Sequence, residues 1–470
     1  MTELLKGIWW HPTDRDHQVS GNLSIGSADG PSLELIGALA KEGITDGGDE
    51  TAWPDTPGWV TPALHGTSQG NLVTILGAYS PGTRRIMGNA DSVEQDISTT
   101  YGVLIGGDRH IGSVDDPVFR MLEVELDYLT FWSGMSQMTP EHDNGQIVLK
   151  STHAEPLVAD LKDWKIIIEK LRGSSGGRKR LGSTEGHITE RCVLRIYSRK
   201  ECSAKEFLEP ARAFQNLLTH AIRKPSSIRS MKLYENEELG HGLAYEWHRE
   251  EIPPPSDGLV DARLARNALF TARKIDFPTV VQNWYSIAAQ LGLTLDVLMG
   301  LDYSEHSYYE NKMLNAATVI EAVHREFLPD SVARDPELYK TLKEQMKQAL
   351  AKEHRGILSV FRNDPGYKQR CTELAAFPDQ IAVESLLGDV KKWSQWTGNA
   401  RNDLAHLNPE EARNIPDEVW YRLASVTTAL LHLVLMERLE ISAELQRKAV
   451  EEGALWFASH SYKEASKEYL

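Results

Sequence analysis

Two periods of apolar residues divide the chain. Up to about residue 200, short apolar runs punctuated by Gly, Pro, Asp and Ser recur at 19–25, 33–37, 71–77, 101–106, 121–129, 146–150 and 164–170. In 121–129 the residues Leu122, Val124, Leu126 and Tyr128 alternate with Glu123, Glu125 and Asp127, the period of two that a strand with one wet face requires. Many short strands at this spacing predict a sandwich or barrel rather than a parallel sheet wrapped in helices. After about Ala204 the period lengthens, and Phe207, Ala211, Phe214, Leu217 and Leu218 fall at helical spacing. From there on the pattern predicts helices, notably at 278–291, 307–327, 336–354, 379–396 and 416–439. The last opens on Pro416, tolerated in a first turn, followed by Asp417 and Glu418, which favour a helix N-terminus. The expected architecture is α+β in two domains. Residues 1–250 form a β-rich, sandwich- or barrel-like sensing or regulatory domain ending in a helix, 251–275 a linker containing Pro253-Pro254-Pro255, and 276–460 an all-helical bundle.

Composition narrows the class. The chain has 470 residues, 41% hydrophobic and 25% charged, ordinary for a soluble globular protein. Cys192, Cys202 and Cys371 are too few and too scattered for a disulfide framework or a zinc site. The first residues carry no signal pattern. The longest apolar stretch, 423–436, includes His432 and is too short to span a bilayer. A reducing cytoplasm, with no membrane partner, is expected.

Charge is unevenly spread within the net −16. Residues 1–160 hold 8 Lys and Arg against 23 Asp and Glu, 161–232 hold 17 against 7, and 233–470 hold 26 against 37. The basic segment reads either as a footprint for phosphate or as the counterpart of the acidic residues around it. It contains Arg178, Lys179 and Arg180 at the end of a glycine-rich stretch from Gly173. That stretch lacks the spacing of a phosphate loop and reads as a flexible basic loop, which makes the three cations candidate RNA contacts.

The chemistry-bearing stretch is Arg401-Asn402-Asp403-Leu404-Ala405-His406. An Arg and a His with four to six residues between them are the ribonuclease signature of HEPN domains. The bare spacing says little in a chain with 28 Arg and 16 His, and it recurs in Arg180 and His187. Context separates the two. Arg401 is followed by a polar residue, His406 is preceded by an apolar-small pair, and a long apolar helix comes next, whereas the surroundings of Arg180 have none of these. A neutral imidazole can take the proton of a ribose 2′-OH at cellular pH. A guanidinium can grip two phosphate oxygens as charge builds there. The products are a 2′,3′-cyclic phosphate and a 5′-hydroxyl, and the scheme calls for no metal or cofactor. If 400–406 is helical, Arg401 and His406 lie about 140° apart around the axis. Asn402 and His406 share a face, so Asn402 is placed to orient the His ring. Arg401 must then reach round or serve a neighbouring site.

Two further stretches resemble one family. Asn311 to Arg325, with Glu321 shortly before His324-Arg325, resembles the first bundle helix of the ApeA-type HEPN family, departing from it at Thr318-Val319-Ile320. Gly7-Ile8-Trp9-Trp10-His11-Pro12, Val19 to Leu23 and Leu33 to Gly37 are similar to the start of that family's N-terminal domain. The resemblance implies an antiphage ribonuclease that idles in a bacterium and cleaves host RNA on infection in response to a phage-derived trigger. RNA, with tRNA among the candidates, is then the substrate. The implied active site is built by two HEPN bundles in a homodimer, with Arg401, His406, Asn402 and Glu321 as site residues. The alternatives are a catalytically silent HEPN scaffold with a ligand-binding N-terminal domain, and an RNA-binding module without cleavage. In such a scaffold Arg401 merely pairs with Glu321 and His406 caps or packs. Asn399 and Asp403 read as capping or solvated residues. Trp393 and Trp396 read as bundle packing, and Trp9, Trp10, Trp53, Trp59 and Trp132 as core.

Overall fold

The computed structural model describes residues 2–26, 30–39, 59–86, 92–136, 138–143, 146–180, 183–236, 243–250, 268–304, 308–406 and 417–468. The chain divides into two compact units, Met1–Leu218 with Ser226–Leu259, and Thr219–Pro225 with Val260–Leu470. The proline-rich stretch 251–258 lies outside the described residues.

Strand alternation builds the first unit. In β1 (Glu3–His11) the pattern buries Leu5 and Trp9 and leaves Leu4 and Ile8 exposed. Antiparallel pairing runs through β1, β2 (Asp14–Ile25), β3 (Ser32–Ile36), β4 (Trp59–Ser68), β5 (Asn71–Ile86) and β6 (Ser92–Gly106). Because β5 also pairs with β6, the order β6-β3-β2-β1-β4-β5 closes into a six-stranded barrel. Of the two all-β architectures expected, the barrel is the one formed; closure leaves none of these six strands as a free edge. Its interior holds Trp9, Leu23, Leu33, Leu35, Leu64, Val73, Ile75 and Val103. Gly66 makes room for the indole, since a Cβ there would come within 2.2 Å of Trp9 Cε3.

From β6 the same sheet continues through β14 (Tyr245–His248), β13 (Ile228–Tyr234), β7 (Phe119–Leu126), β12 (Ser183–Cys202), β11 (Trp164–Arg180) and β10 (Leu157–Asp160). A small hairpin, β8 (Thr139–Asp143) and β9 (Gln146–Lys150), stands apart from this sheet. A short helix, α1 (Leu129–Ser133), carries Trp132, whose ring meets Phe214 of α2 (Leu208–Ile222) edge-on at 6.0 Å. Trp9, Trp10 and Trp132 are core residues. Trp53 and the side chain of Trp59 lie outside the described residues.

Two expectations are corrected here. The chain does not turn wholly helical after Ala204, because β13 and β14 follow α2 and complete the sheet. Their polar positions disguise them: Lys232 stands opposite Glu246 in one neighbour and Glu123 in the other. The basic stretch from Gly173 is not a loop but the outer arm of a hairpin. Arg178 pairs in register with Glu185, Lys179 with Thr184 and Arg180 with Ser183. A partner arm of matching length carries residues of weak strand propensity into the ladder, and pairing overrides local preference.

The second unit is helical: α3 (Phe277–Leu291), α4 (Leu293–Tyr303), α5 (Tyr309–Phe327), α6 (Pro336–Ala349), α7 (Tyr367–Ala375), α8 (Gln380–Leu387), α9 (Val390–His406), α10 (Asp417–Arg438), α11 (Ala443–Glu451) and α12 (Trp456–Glu468). The helix expected at 379–396 is two. Gly388 adopts φ 68° and breaks the first, and the Asp389 carboxylate accepts from the backbone N–H groups of Lys391 and Lys392 to start the second. The helix expected at 336–354 likewise stops at Ala349, and a separate 3-10 segment spans Lys352–Ser359. Glu418–Arg438 is long and apolar enough to cross a membrane, at mean hydropathy 1.4, yet 83% of its most apolar window is buried inside the protein. A core helix has the same composition. Against it lies Trp393, whose indole N–H donates to Thr427 Oγ1 at 3.2 Å, as bundle packing requires.

The same unit buries a polar cluster. His220 and His432 stack at 5.0 Å with their Nδ1 atoms 2.7 Å apart, and His432 Nε2 meets Asp302 Oδ2 at 3.2 Å. Arg223, at φ 59°, bonds Asp302. Burial and then the charge of Arg223 hold His432 neutral, with its pKa down to about 4.

Candidate functional site

The last turns of α9 carry the motif. Thr397 and Ala400 face inward, where Thr397 Oγ1 bonds the Trp393 carbonyl at 2.9 Å. Arg401 is thereby turned to the rim of the bundle. Because α9 continues to His406, the segment is helical as the 140° separation assumes, and the two Cα positions differ by about 7.5 Å along the axis. The side chain of His406 lies outside the described residues.

Three neighbours hold the guanidinium. Arg401 Nη2 donates to Glu321 Oε1 of α5 at 2.8 Å, and Nη1 donates to Asn402 Oδ1 at 3.2 Å. The Tyr367 ring at the start of α7 lies under it, with the guanidinium carbon 5.7 Å from the ring centroid. Gly398, one turn earlier on α9, lies beside that ring, where a Cβ would sit in ordinary van der Waals contact with Tyr367 at 3.5 Å. Among the described residues these contacts use two of the five guanidinium N–H donors, and the Arg401 side chain is 38% exposed. The pair with Glu321 is the one the silent-scaffold alternative expects, and it leaves donors available to an anion. Asn402, expected to orient His406, here accepts from Arg401. Asn399 is exposed and Asp403 half-buried on the same turns, and Trp396 is half-buried.

Tyr367 is the member that sequence reasoning missed; only its place after Pro365-Gly366, at a helix start, marks it. Among the described residues its buried hydroxyl has only the weakly bonding Cys371 thiol beside it, and burial followed by that neighbour pushes the phenol far above its usual range. Burial likewise pushes the Cys371 thiol up to about 12, so it stays protonated.

Farther along α5 and α7 lies a second constellation. His324 is buried, with Nε2 2.6 Å from Glu373 Oε2 and Nδ1 3.4 Å from Arg370 Nη1. Ser331 Oγ donates to the same carboxylate oxygen at 2.6 Å, and Gln369 Nε2 donates to the other at 2.7 Å. Burial alone raises a carboxylate pKa, but these donors outweigh it and hold Glu373 below its ordinary range. Glu373 opens on a cavity of about 700 Å³ lined by Phe327, Leu328, Pro329, Asp330 and Phe377. Among the described residues no group of three or more His, Cys, Asp or Glu is placed to hold a metal ion.

A family model described as ApeA N-terminal domain 1 matches residues 5–284, more than half of the chain. The chain belongs to the ApeA family. A second model, Apea-like HEPN, matches residues 314–445. The ApeA-like HEPN match contains Glu321, Tyr367, Glu373, Arg401 and His406, and the chain is accordingly a HEPN-type antiphage defence protein. The strand-rich half carries the ApeA N-terminal domain. No curated protein and no solved structure matches the chain.

In the ApeA N-terminal domain several cations of the basic segment are paired with carboxylates around them. Arg195 bonds Glu123 and Glu169, Arg191 bonds Glu125, Arg229 bonds Asp127 and Arg199 bonds Asp160. Lys170 and Glu190 form a buried pair at 3.0 Å. Most of these acceptors come from the acidic first 160 residues, the arrangement expected if the segment serves as their counterpart. The side chains of Arg178, Lys179 and Arg180 lie outside the described residues.

Proposed function

We propose that this protein is a metal-independent endoribonuclease whose catalytic pair is Arg401 and His406. The observation that carries the reading is the Arg401 guanidinium, held from three sides by Glu321, Asn402 and Tyr367, yet open to solvent one and a half turns before His406. A cation fixed before substrate arrives needs no reorganisation when negative charge develops on a phosphate. His406 takes the 2′-OH proton, the 2′-oxygen attacks the adjacent phosphorus, and the 5′-oxygen leaves with a proton. The chain is left with a 2′,3′-cyclic phosphate and a 5′-hydroxyl. Because about 140° separates the two residues on one helix, two HEPN bundles related by a two-fold would supply Arg401 and His406 to a common cleft. The homodimer is therefore part of the reading, as is an N-terminal domain that restrains the bundle until a phage-derived trigger arrives. RNA end-group analysis tests the chemistry. Cyclic-phosphate ends that persist in EDTA, vanish with a single 2′-deoxy sugar at the scissile position and vanish in His406→Ala are the expected result. Cleavage of the 2′-deoxy substrate excludes the mechanism.

A further inference from the structure

The cavity beside Glu373 is built from the same two helices that hold Arg401. Phe327 lies six residues beyond Glu321 on α5, and Glu373 lies six residues beyond Tyr367 on α7. Six helical residues span about 9 Å, within the reach of one or two nucleotides from a phosphate gripped by Arg401. At about 700 Å³ the cavity is a wide depression open to solvent, with room to seat a base against its walls. Its walls are apolar or aromatic at Phe327, Leu328, Pro329 and Phe377, and its charged members, Asp330 and Glu373, are both acidic. Such a lining disfavours phosphate and favours a flat apolar group whose edge offers hydrogen-bond donors.

Glu373 has the form of a preset acceptor. Its Oε2 accepts from His324 and Ser331 and its Oε1 from Gln369, so the carboxylate is fixed in place. A carboxylate oxygen has two lone pairs, and these contacts leave one on Oε1, on a side chain 31% exposed. His324 is oriented in turn, because Arg370 donates to Nδ1 and leaves the proton on Nε2 facing Glu373. Nothing in the cleavage scheme uses this network.

We propose that the cavity is a base-recognition subsite that takes a guanine flanking the cut, with the one open lone pair of Glu373 Oε1 facing the adjacent N1–H and N2-amino donors of its edge. Single-stranded RNA is read by stacking of splayed bases and by bonds to their Watson–Crick edges. Guanine alone sets two donors side by side on that edge, whereas uracil places carbonyl oxygens on either side of its one donor. The subsite rests on the ribonuclease reading for its purpose, but its binding can be measured without cleavage.

The full-length protein is titrated with the uncleavable 2′-O-methyl dinucleotides GpG and UpU. The expected result is at least tenfold tighter binding of GpG, with the difference lost in Glu373→Gln. Since Glu373 also ties down His324, Ser331 and Gln369, Ala376→Trp is the companion variant. Ala376 is an exposed lining residue just past the end of α7 and makes none of the hydrogen bonds of the network, so an indole there is introduced to fill the cavity. Equal binding of the two dinucleotides, no binding of GpG, or unchanged preference in Ala376→Trp overturns the proposal. Sequencing the cut ends from a random RNA pool distinguishes the two readings. Cuts that depend on His406 but have no guanine bias, in wild type as in Glu373→Gln, remove the subsite and leave the nuclease. Selective GpG binding without any cleavage keeps the subsite and removes the nuclease.

Discussion

Lys170 and Arg195 in the strand-rich unit and Arg401 in the helical unit are held in opposite ways. In the strand-rich unit Lys170 and Arg195 are buried against carboxylates: Lys170 and Glu190 expose 2% and 0% of their side chains, and Arg195 lies between Glu123 and Glu169. In the helical unit, Arg401 is equally well oriented but remains at the rim with donors to spare. A buried pair has no capacity for a ligand, since its desolvation is compensated only by its partner. A half-exposed cation on a fixed support can bind an anion. The difference argues that Lys170 and Arg195 are structural, and that Arg401 carries a functional weight that these two buried cations do not.

The sharpest way to break this comparison is to remove a cation from each unit. Arg401→Ala and His406→Ala are each expected to lower RNA cleavage by roughly 100- to 1000-fold or more, from the loss of a transition-state contact or of the base. Helical content and unit stability should stay near wild type. Cleavage at the wild-type rate in both variants would refute the site assignment. Lys170→Met should do the reverse. It strands the Glu190 carboxylate and is expected to destabilise the strand-rich unit by about 3–5 kcal/mol, read as a fall in its denaturation midpoint. The chemistry on RNA should survive wherever the protein remains folded.

Acid supplies a third contrast, confined to the helical unit. His432 is neutral in the fold, with its pKa lowered to about 4 by burial and by Arg223, whereas in the unfolded chain it titrates near 6.5. Protons therefore bind the unfolded state first. Stability from this site is complete above about pH 6.5 and declines as pH falls towards 4, by an amount on the order of 3 kcal/mol. Of the facing groups, His220 acts in the same sense, because burial and the neighbouring His432 also depress it, whereas Asp302, held below the usual carboxylate range beside Arg223, loses its contribution only at still lower pH. Urea unfolding followed at pH 7, 6 and 5 measures the slope. A helical transition that does not move with pH would mean that the cluster is not kept neutral.

How much of this was legible depends on how far each signal reaches along the chain. The strand at β7 shows in the alternation of Leu122, Val124 and Leu126 with Glu123 and Glu125. Barrel closure does not show, because it rests on pairings such as Trp10 with His65 and Val73 with Ile105 that no local pattern records. Gly388 falls inside the stretch expected as one helix, 379–396, and its φ of 68° makes it the break after which α9 runs on to His406. In the site, Arg401, Asn402 and His406 were readable because they share one short helical segment, and Glu321 because it sits ahead of His324-Arg325. Tyr367 and Glu373 reach the site through the packing of α7 on α5 and α9, a tertiary event, and neither has a sequence signal of its own.

The smallest expected effect concerns Tyr367 and separates support from chemistry. Its ring carries the Arg401 guanidinium at 5.7 Å, while among the described residues its buried hydroxyl has only the Cys371 thiol for company. Removing the hydroxyl should therefore cost little: Tyr367→Phe keeps the aromatic face and is expected to cleave RNA within about twofold of wild type, without loss of stability. Tyr367→Leu removes the face. A partly exposed cation over an aromatic ring contributes roughly 0.5–1 kcal/mol, so the guanidinium should sample more orientations and kcat should fall about two- to fivefold with KM nearly unchanged. The split between the variants is the informative quantity, because a purely structural tyrosine would show equal activity per folded molecule in both. If Tyr367→Phe loses as much activity as Tyr367→Leu, the hydroxyl rather than the ring is what matters. Arg401 would then be oriented by Glu321 and Asn402 alone.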